Sequence, residues 1–145
     1  MKVTRVLVVE DDAIVAMHLE RVVRQLGYEV LDIIAAGEDA IQKADQLRPD
    51  IILMDIRLRG EMTGIEAAIQ IHLTNDIPIV FLTAYADEPI LQRVKFSNPY
   101  AYLTKPVRDK ELQASIEVAI YKHQADRKLK HLNYVLHAIR NSVSA

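Results

Sequence analysis

Ile51-Ile52-Leu53-Met54-Asp55 is the stretch that decides the fold of this chain. Four apolar residues in a row, with no polar alternation, suit a strand covered on both faces, as in a parallel sheet. Arg48-Pro49 closes the segment before it, because a residue ahead of proline avoids helical geometry. Asp55 then falls at the strand's C-terminal end, the edge where open α/β sheets bind ligands. Three other polar positions follow short apolar runs in the same way. Glu10-Asp11 follows Val6–Val9, Thr83 follows Ile79–Leu82, and Lys105 follows Ala101–Thr104. If all four runs are parallel strands, carboxylates, a hydroxyl and an ammonium meet at one rim.

Outward from that strand, the pattern alternates between the two periodicities. Thr4–Val9 reads as a strand, and Val15, Leu19, Val22 and Leu26 then recur at helical spacing until Gly27. Val30–Ala35 is a second strand, and the charges of Glu29 and Asp32 place it at a sheet edge. Ala40, Ile41, Ala44 and Leu47 form a second helical face, and Ile65, Ala68, Ile69 and Leu73 a third, with a loop over 57–63 between strand and helix. Pro78 opens the fourth strand, Ile79–Leu82. A weaker helix is expected over 88–96, then a fifth strand at 101–104 and a last helix from Asp109.

Five strands alternating with five helices predict an α/β three-layer sandwich around a five-stranded parallel sheet. Right-handed crossovers and an edge position for the second strand favour the order 2-1-3-4-5. The first and third strands are then neighbours at the switch point, with Asp11 and Asp55 beside each other.

At 145 residues the chain fits one domain with a short appendage, divided here as 1–120 and 121–145. The absence of cysteine excludes disulfides, thiolate metal sites and cysteine nucleophiles. No apolar run approaches the roughly 20 residues of a membrane-spanning helix, and Met1–Arg5 leads into a strand without a signal-peptide pattern. A cytoplasmic location is therefore expected. The net charge of −2 conceals an acidic body and a basic end: residues 121–145 carry five Lys/Arg against Asp126 alone. A solvated helix face accounts for that run more simply than nucleic-acid binding. No helix-turn-helix with a basic recognition helix is seen, and direct DNA binding is not expected.

Acidic side chains crowded at one edge repel unless a cation neutralises them. All-oxygen donors at a small hydrated site suit Mg²⁺, or Mn²⁺. Asp11 and Asp55 are read as direct ligands, Glu10 as a ligand through water, and Asp12 as the cap of the first helix. Asp55 can also act as a nucleophile towards phosphorus, giving an acyl phosphate. Lys105 would pair with one phosphoryl oxygen and the Thr83 hydroxyl would donate to another. No group here activates water strongly, which favours a long-lived phosphorylated state.

Taken together, Val8-Val9-Glu10-Asp11-Asp12, Leu53–Leu58, Leu82-Thr83-Ala84 and Tyr102–Pro106 resemble the response regulator receiver domains of two-component signalling, which are CheY-like and flavodoxin-like in winding. The resemblance covers about residues 3–120. It implies a signalling phosphoacceptor rather than an enzyme, phosphorylated on Asp55 from the phosphohistidine of a histidine kinase. It also implies Mg²⁺ held by Asp11, Asp55 and the Arg57 backbone carbonyl, and a cis peptide between Lys105 and Pro106. In such domains Thr83 would move towards the phosphoryl group and Tyr102 would turn inward, altering the surface of the fourth helix, fifth strand and fifth helix. Read without the family, Tyr102 is more simply an aromatic covering an edge strand; its spacing of 19 from Thr83 and 3 from Lys105 is what favours the switch. The loop after Asp55 departs from the commonest pattern: it lacks the usual proline and is one residue longer. Arg57 and Tyr85 are expected to overhang the phosphoryl group and shield it from water.

Two other chemistries fit less well. A haloacid-dehalogenase-type phosphatase would need an aspartate where Arg57 stands, and an unphosphorylated binding module would have no use for the complete pocket. The five histidines show no metal-ligand spacing and no kinase phosphoacceptor box.

Helical sequence continues to the end of the chain, with apolar residues at 125, 129, 132, 136, 139 and 143. That 4-3 alternation is a heptad seam of nearly three repeats. A homodimer is the favoured way to cover it; folding back as a hairpin and docking on another protein remain open. The extension is thus either a dimerisation helix or a linker to a further output or sensor domain.

Overall fold

The computed structural model describes residues 2–84 and 101–143. Five parallel strands, β1 (Arg5–Val9), β2 (Glu29–Ile34), β3 (Ile51–Asp55), β4 (Ile79–Thr83) and β5 (Ala101–Thr104), form one sheet of order β2-β1-β3-β4-β5. Helices α1 (Ala13–Gln25), α2 (Gly37–Leu47) and α3 (Gly64–Thr74) and a long C-terminal helix (Asp109–Val143) complete the fold. The flavodoxin-like winding expected from the sequence is the winding observed. The helix expected over 88–96, and Tyr85, lie outside the described residues.

The strands alternate between two cores. Leu7, Val9, Ile52, Met54, Ile79 and Phe81 face α2 and α3, whose contact residues include Ala40, Ala44, Ala67 and Ala68. Val6, Val8, Ile51, Leu53, Val80 and Leu82 face α1 and the C-terminal helix through Leu19, Val22, Leu112 and Ile116. Both faces of β3 are therefore covered, which is why its sequence shows no polar alternation. Strand β2, at the edge, is only partly buried along its length.

Two strands run one residue further than their apolar runs. Asp55 pairs with Leu82 and Thr83 with Thr104, held by Ile56 N–H donating to the Leu82 carbonyl (3.1 Å) and Lys105 N–H to the Thr83 carbonyl (2.8 Å). Asp55 and Thr83 thus belong to the ladder rather than to loops. Arg48, at the end of α2, is left-handed (φ +48°) rather than extended. The Arg5 guanidinium donates to the Leu47 and Arg48 carbonyls, taking up acceptors that a helix end leaves unsatisfied.

The C-terminal helix buries Leu112, Ile116, Ala119 and His123 against the domain. From residue 124 to residue 142 every side chain is exposed. Among the described residues, no helix is long and apolar enough to cross a membrane.

Candidate phosphoacceptor site

Register builds the site. Val9 pairs with Met54 and Met54 with Phe81, so Glu10 and Asp55 each stand one residue beyond that row. Lys105 leaves β5 one residue after the Thr83–Thr104 pair and reaches back across the rim. Its Nζ donates to Asp55 Oδ2 at 2.9 Å and to Glu10 Oε2 and Oε1 at 3.1 and 3.3 Å. One ammonium therefore joins carboxylates 95 and 50 residues away in sequence. The Lys105–Pro106 peptide is cis.

Glu10, Asp11 and Asp55 each offer a carboxylate oxygen, and the three lie within 4.8 Å of one another. Glu10 and Asp55 are buried while Asp11 is exposed at the mouth. Three carboxylates against one ammonium leave an excess of negative charge, and the donors are all oxygen. That set fits a hard divalent cation such as Mg²⁺.

The electrostatics carry the mark of this crowding. Burial, then hydrogen bonding with Asp55 and the Asp55 charge, push the Glu10 carboxyl up to about 7, with Lys105 offsetting only part of the rise. Burial alone would lower the Lys105 ammonium. Its bonds to Asp55 and Glu10 and their charges outweigh that and raise it, so the lysine stays charged.

The remaining residues hold the frame. Asp12 caps α1, its Oδ1 accepting from Ile14 N–H (2.9 Å) and Val15 N–H (3.2 Å). The Arg57 amide donates to Asp55 Oδ1 at 3.3 Å, and the Arg57 side chain is exposed. Thr83 is fully buried and its hydroxyl donates to the Ala84 carbonyl at 3.0 Å. Tyr102 is half exposed on β5, turned towards solvent.

Two supports went unread in the sequence. Gly64, the first residue of α3, donates its N–H to the Ile56 carbonyl at 2.7 Å, and a Cβ there would overlap the Asp55 carbonyl oxygen and press on Met54. A glycine nine residues after Asp55 was the visible signal. Thr63 and Glu66 form a reciprocal capping box at the same turn, both bonds 3.1 Å long, and the Thr-x-x-Glu spelling would have disclosed it.

Comparison with known proteins agrees with the geometry. The sequence model of the response regulator receiver domain matches residues 6–117. The transcriptional regulatory protein PdtaR of Mycobacterium tuberculosis is 34% identical over 116 residues, 80% of this chain and 56% of that protein. The phyllosphere-induced regulator PhyR of Methylorubrum extorquens is 29% identical over 126 residues, 86% of this chain and 46% of that one. The chain thus spans about half the length of these curated relatives. Among solved structures, the receiver domain of a modulated diguanylate cyclase from Desulfovibrio desulfuricans G20 superposes with a TM-score of 0.81 at 41% identity, covering 86% of this chain and 99% of that one. A fusion carrying a trimeric coiled coil of yeast Spc42 matches all of this chain and 99% of its own, with a TM-score of 0.79 at 30% identity. A matching family model over three quarters of the sequence, and a rim built from the residues that carry the resemblance, lead to one conclusion: the chain belongs to the response regulator receiver domain family.

Proposed function

We propose that residues 1–120 form a phosphoacceptor receiver of a two-component relay, with Asp55 accepting a phosphoryl group from the phosphohistidine of a sensor histidine kinase. The observation that supports it most is Lys105 Nζ lying 2.9 Å from Asp55 Oδ2 and 3.1 Å from Glu10 Oε2 at the mouth of a buried acidic nest. An Asp55 oxygen attacks phosphorus, the P–N bond to the donor imidazole breaks, and that nitrogen retains the electron pair. Lys105 is positioned to move from the Asp55 carboxylate onto a phosphoryl oxygen as charge shifts outward. Asp11, Asp55, the Arg57 carbonyl and, through water, Glu10 would hold Mg²⁺ (Mn²⁺ being the alternative). When bound, that ion supplies positive charge shared by the carboxylate and the phosphoryl oxygens.

The Thr83 hydroxyl, now spent on Ala84, is the group free to turn to a phosphoryl oxygen, and the outward Tyr102 ring is the group to follow it inward. The readout is a changed protein-binding surface, not turnover of a substrate. We place the protein in the cytoplasm, where histidine kinases present their phosphohistidine, with no membrane contact and no direct DNA contact by this chain. The apolar seam of the 121–145 extension, exposed from residue 124 to residue 142, suits a second copy and makes the extension a dimerisation helix. Arg57, and Tyr85 with it, are assigned to shielding the phosphoryl group.

Acetyl phosphate with Mg²⁺ tests the central step. One phosphoryl group should appear on the intact protein by mass, be lost in Asp55→Asn, and be chemically labile as an acyl phosphate. Continuous phosphate release would indicate a phosphatase, and no reaction at all a binding module. A phosphorylated lifetime unchanged in Arg57→Ala plus Tyr85→Ala would remove the shielding role.

A further inference from the structure

The C-terminal helix carries two apolar stripes on different faces. Leu112, Ile116, Ala119 and His123 form the first, buried against the domain. Ala125, Leu129, Leu132, Leu136, Ile139 and Val143 form the second by spacing. At about 100° of rotation per residue, the centre of the second lies roughly 150° around the helix from the first. Leu129, Leu132, Leu136 and Ile139 are all more than half exposed.

Polar contacts fix which way the helix faces. His123 Nε2 lies 3.0 Å from Asp76 Oδ1 and Arg127 Nε 3.9 Å from Asp76 Oδ2, just ahead of β4. Both side chains sit on the face opposite the second stripe, so they extend the attachment that Leu112, Ile116 and Ala119 make on that same face. With the helix unbroken from Asp109 to Val143, the second stripe points away from its own domain and cannot fold back onto it.

The exposed stripe also begins before the helix leaves the domain. Val118 and Tyr121 are exposed on the same side, and Val118 falls on the heptad seven residues before Ala125. We propose that a second copy of this chain covers this face from Val118 to Val143 in a parallel two-fold pairing, with the two domains on the outside. This deepens the self-association reading above and rests on it.

A parallel partner meets Val118 with its own Val118 and covers about 38 Å of seam. An antiparallel partner either sets Ala125 against Val143 and leaves Val118 and Tyr121 bare, or sets Val118 against Val143 and presses Lys122 onto Ile139. Across a parallel seam the flanking residues do not oppose like charges, since Lys128 meets Asn133, Val135 meets Arg140 and Tyr121 meets Asp126, and the one charged layer of the seam, Lys122 against its own copy, costs stability while fixing register. A three-repeat helix alone would be marginal, but here the folded domain has already formed its first turns and so removed the nucleation cost. The pairing leaves the acceptor site open. The helix starts beside the Asp55 rim and projects past the opposite end of the sheet, where Asp76 lies.

The chain contains no cysteine, so single-cysteine variants of the full chain report orientation cleanly. The unmodified protein should run in light scattering at twice the 16.5 kDa of one chain. Leu132→Cys, in a layer that meets itself only in parallel, should give a disulfide-linked dimer within minutes of mild oxidation, and Tyr134→Cys on the outer face should not. Leu132→Asp with Leu136→Asp should give a monomer with an unchanged domain spectrum. A monomeric unmodified chain overturns self-association itself. A dimer that cross-links only when Leu129→Cys is mixed with Ile139→Cys or with Leu132→Cys overturns the parallel orientation alone, and a trimeric mass overturns the two-fold. None of these outcomes touches Asp55 phosphorylation, which acetyl phosphate reads separately.

Discussion

Glu10 is the residue where folding and function pull in opposite directions. Its side chain is dry and faces Asp55, so the folded state holds its proton more tightly than the unfolded chain does. A carboxyl raised from 4.5 to about 7 contributes stability that is complete below about 4.5 and is lost as pH rises through 7. The loss is on the order of 3 kcal/mol. His72, lowered chiefly by burial, runs the other way, losing stability as pH falls below its unfolded value. The contribution of Glu10 is therefore the difference between the native protein and Glu10→Gln, measured by urea unfolding from pH 5 to 8 without divalent ions. That difference should move against the native protein with rising pH, and Mg²⁺ should raise the native Tm more at pH 8 than at pH 5.5. A difference flat in pH would show that Glu10 is not held protonated. Gly64 works by absence of a side chain. Gly64→Ala should cost about 2–4 kcal/mol and slow acetyl phosphate labelling, because Asp55 and Met54 must shift to admit the Cβ. Unchanged labelling in a folded variant would separate Gly64 from the site.

At the scale of elements, short turns convert strand ends into a site. The capping box at Thr63 and Glu66 starts α3 where the loop after Asp55 ends, and the Arg59 amide ties that loop to the Ala35 carbonyl at 3.1 Å. Thr63→Ala should lower stability by about 1 kcal/mol, with Thr63→Ser close to native by chemical unfolding. The C-terminal helix depends on Asp76 in a comparable way, because that carboxylate meets both His123 and Arg127 beyond the last apolar anchor. Asp76→Ala should speed amide hydrogen exchange over 120–130 while leaving β1 and β3 protected; unaltered exchange would show that packing of Leu112, Ile116 and Ala119 suffices. The capping box was legible as a spelling, whereas the Asp76 contact was not, since the partners are about 50 residues apart and carry no shared pattern.

Across the whole molecule, the sequence by itself determined the three layers, the strand order and the four rim positions. Periodicity, breaker residues and short connections are local properties, and right-handed crossovers leave few ways to join them. It also spelled the heptad after residue 124. Tertiary structure alone decided how dry Glu10 is, that Lys105 spans Glu10 and Asp55, that Gly64 admits no side chain, and which way the second stripe faces. Those facts depend on strand register, sheet twist and the rotation of one helix about its axis. Each is set by packing between distant segments, and no window of sequence contains both partners.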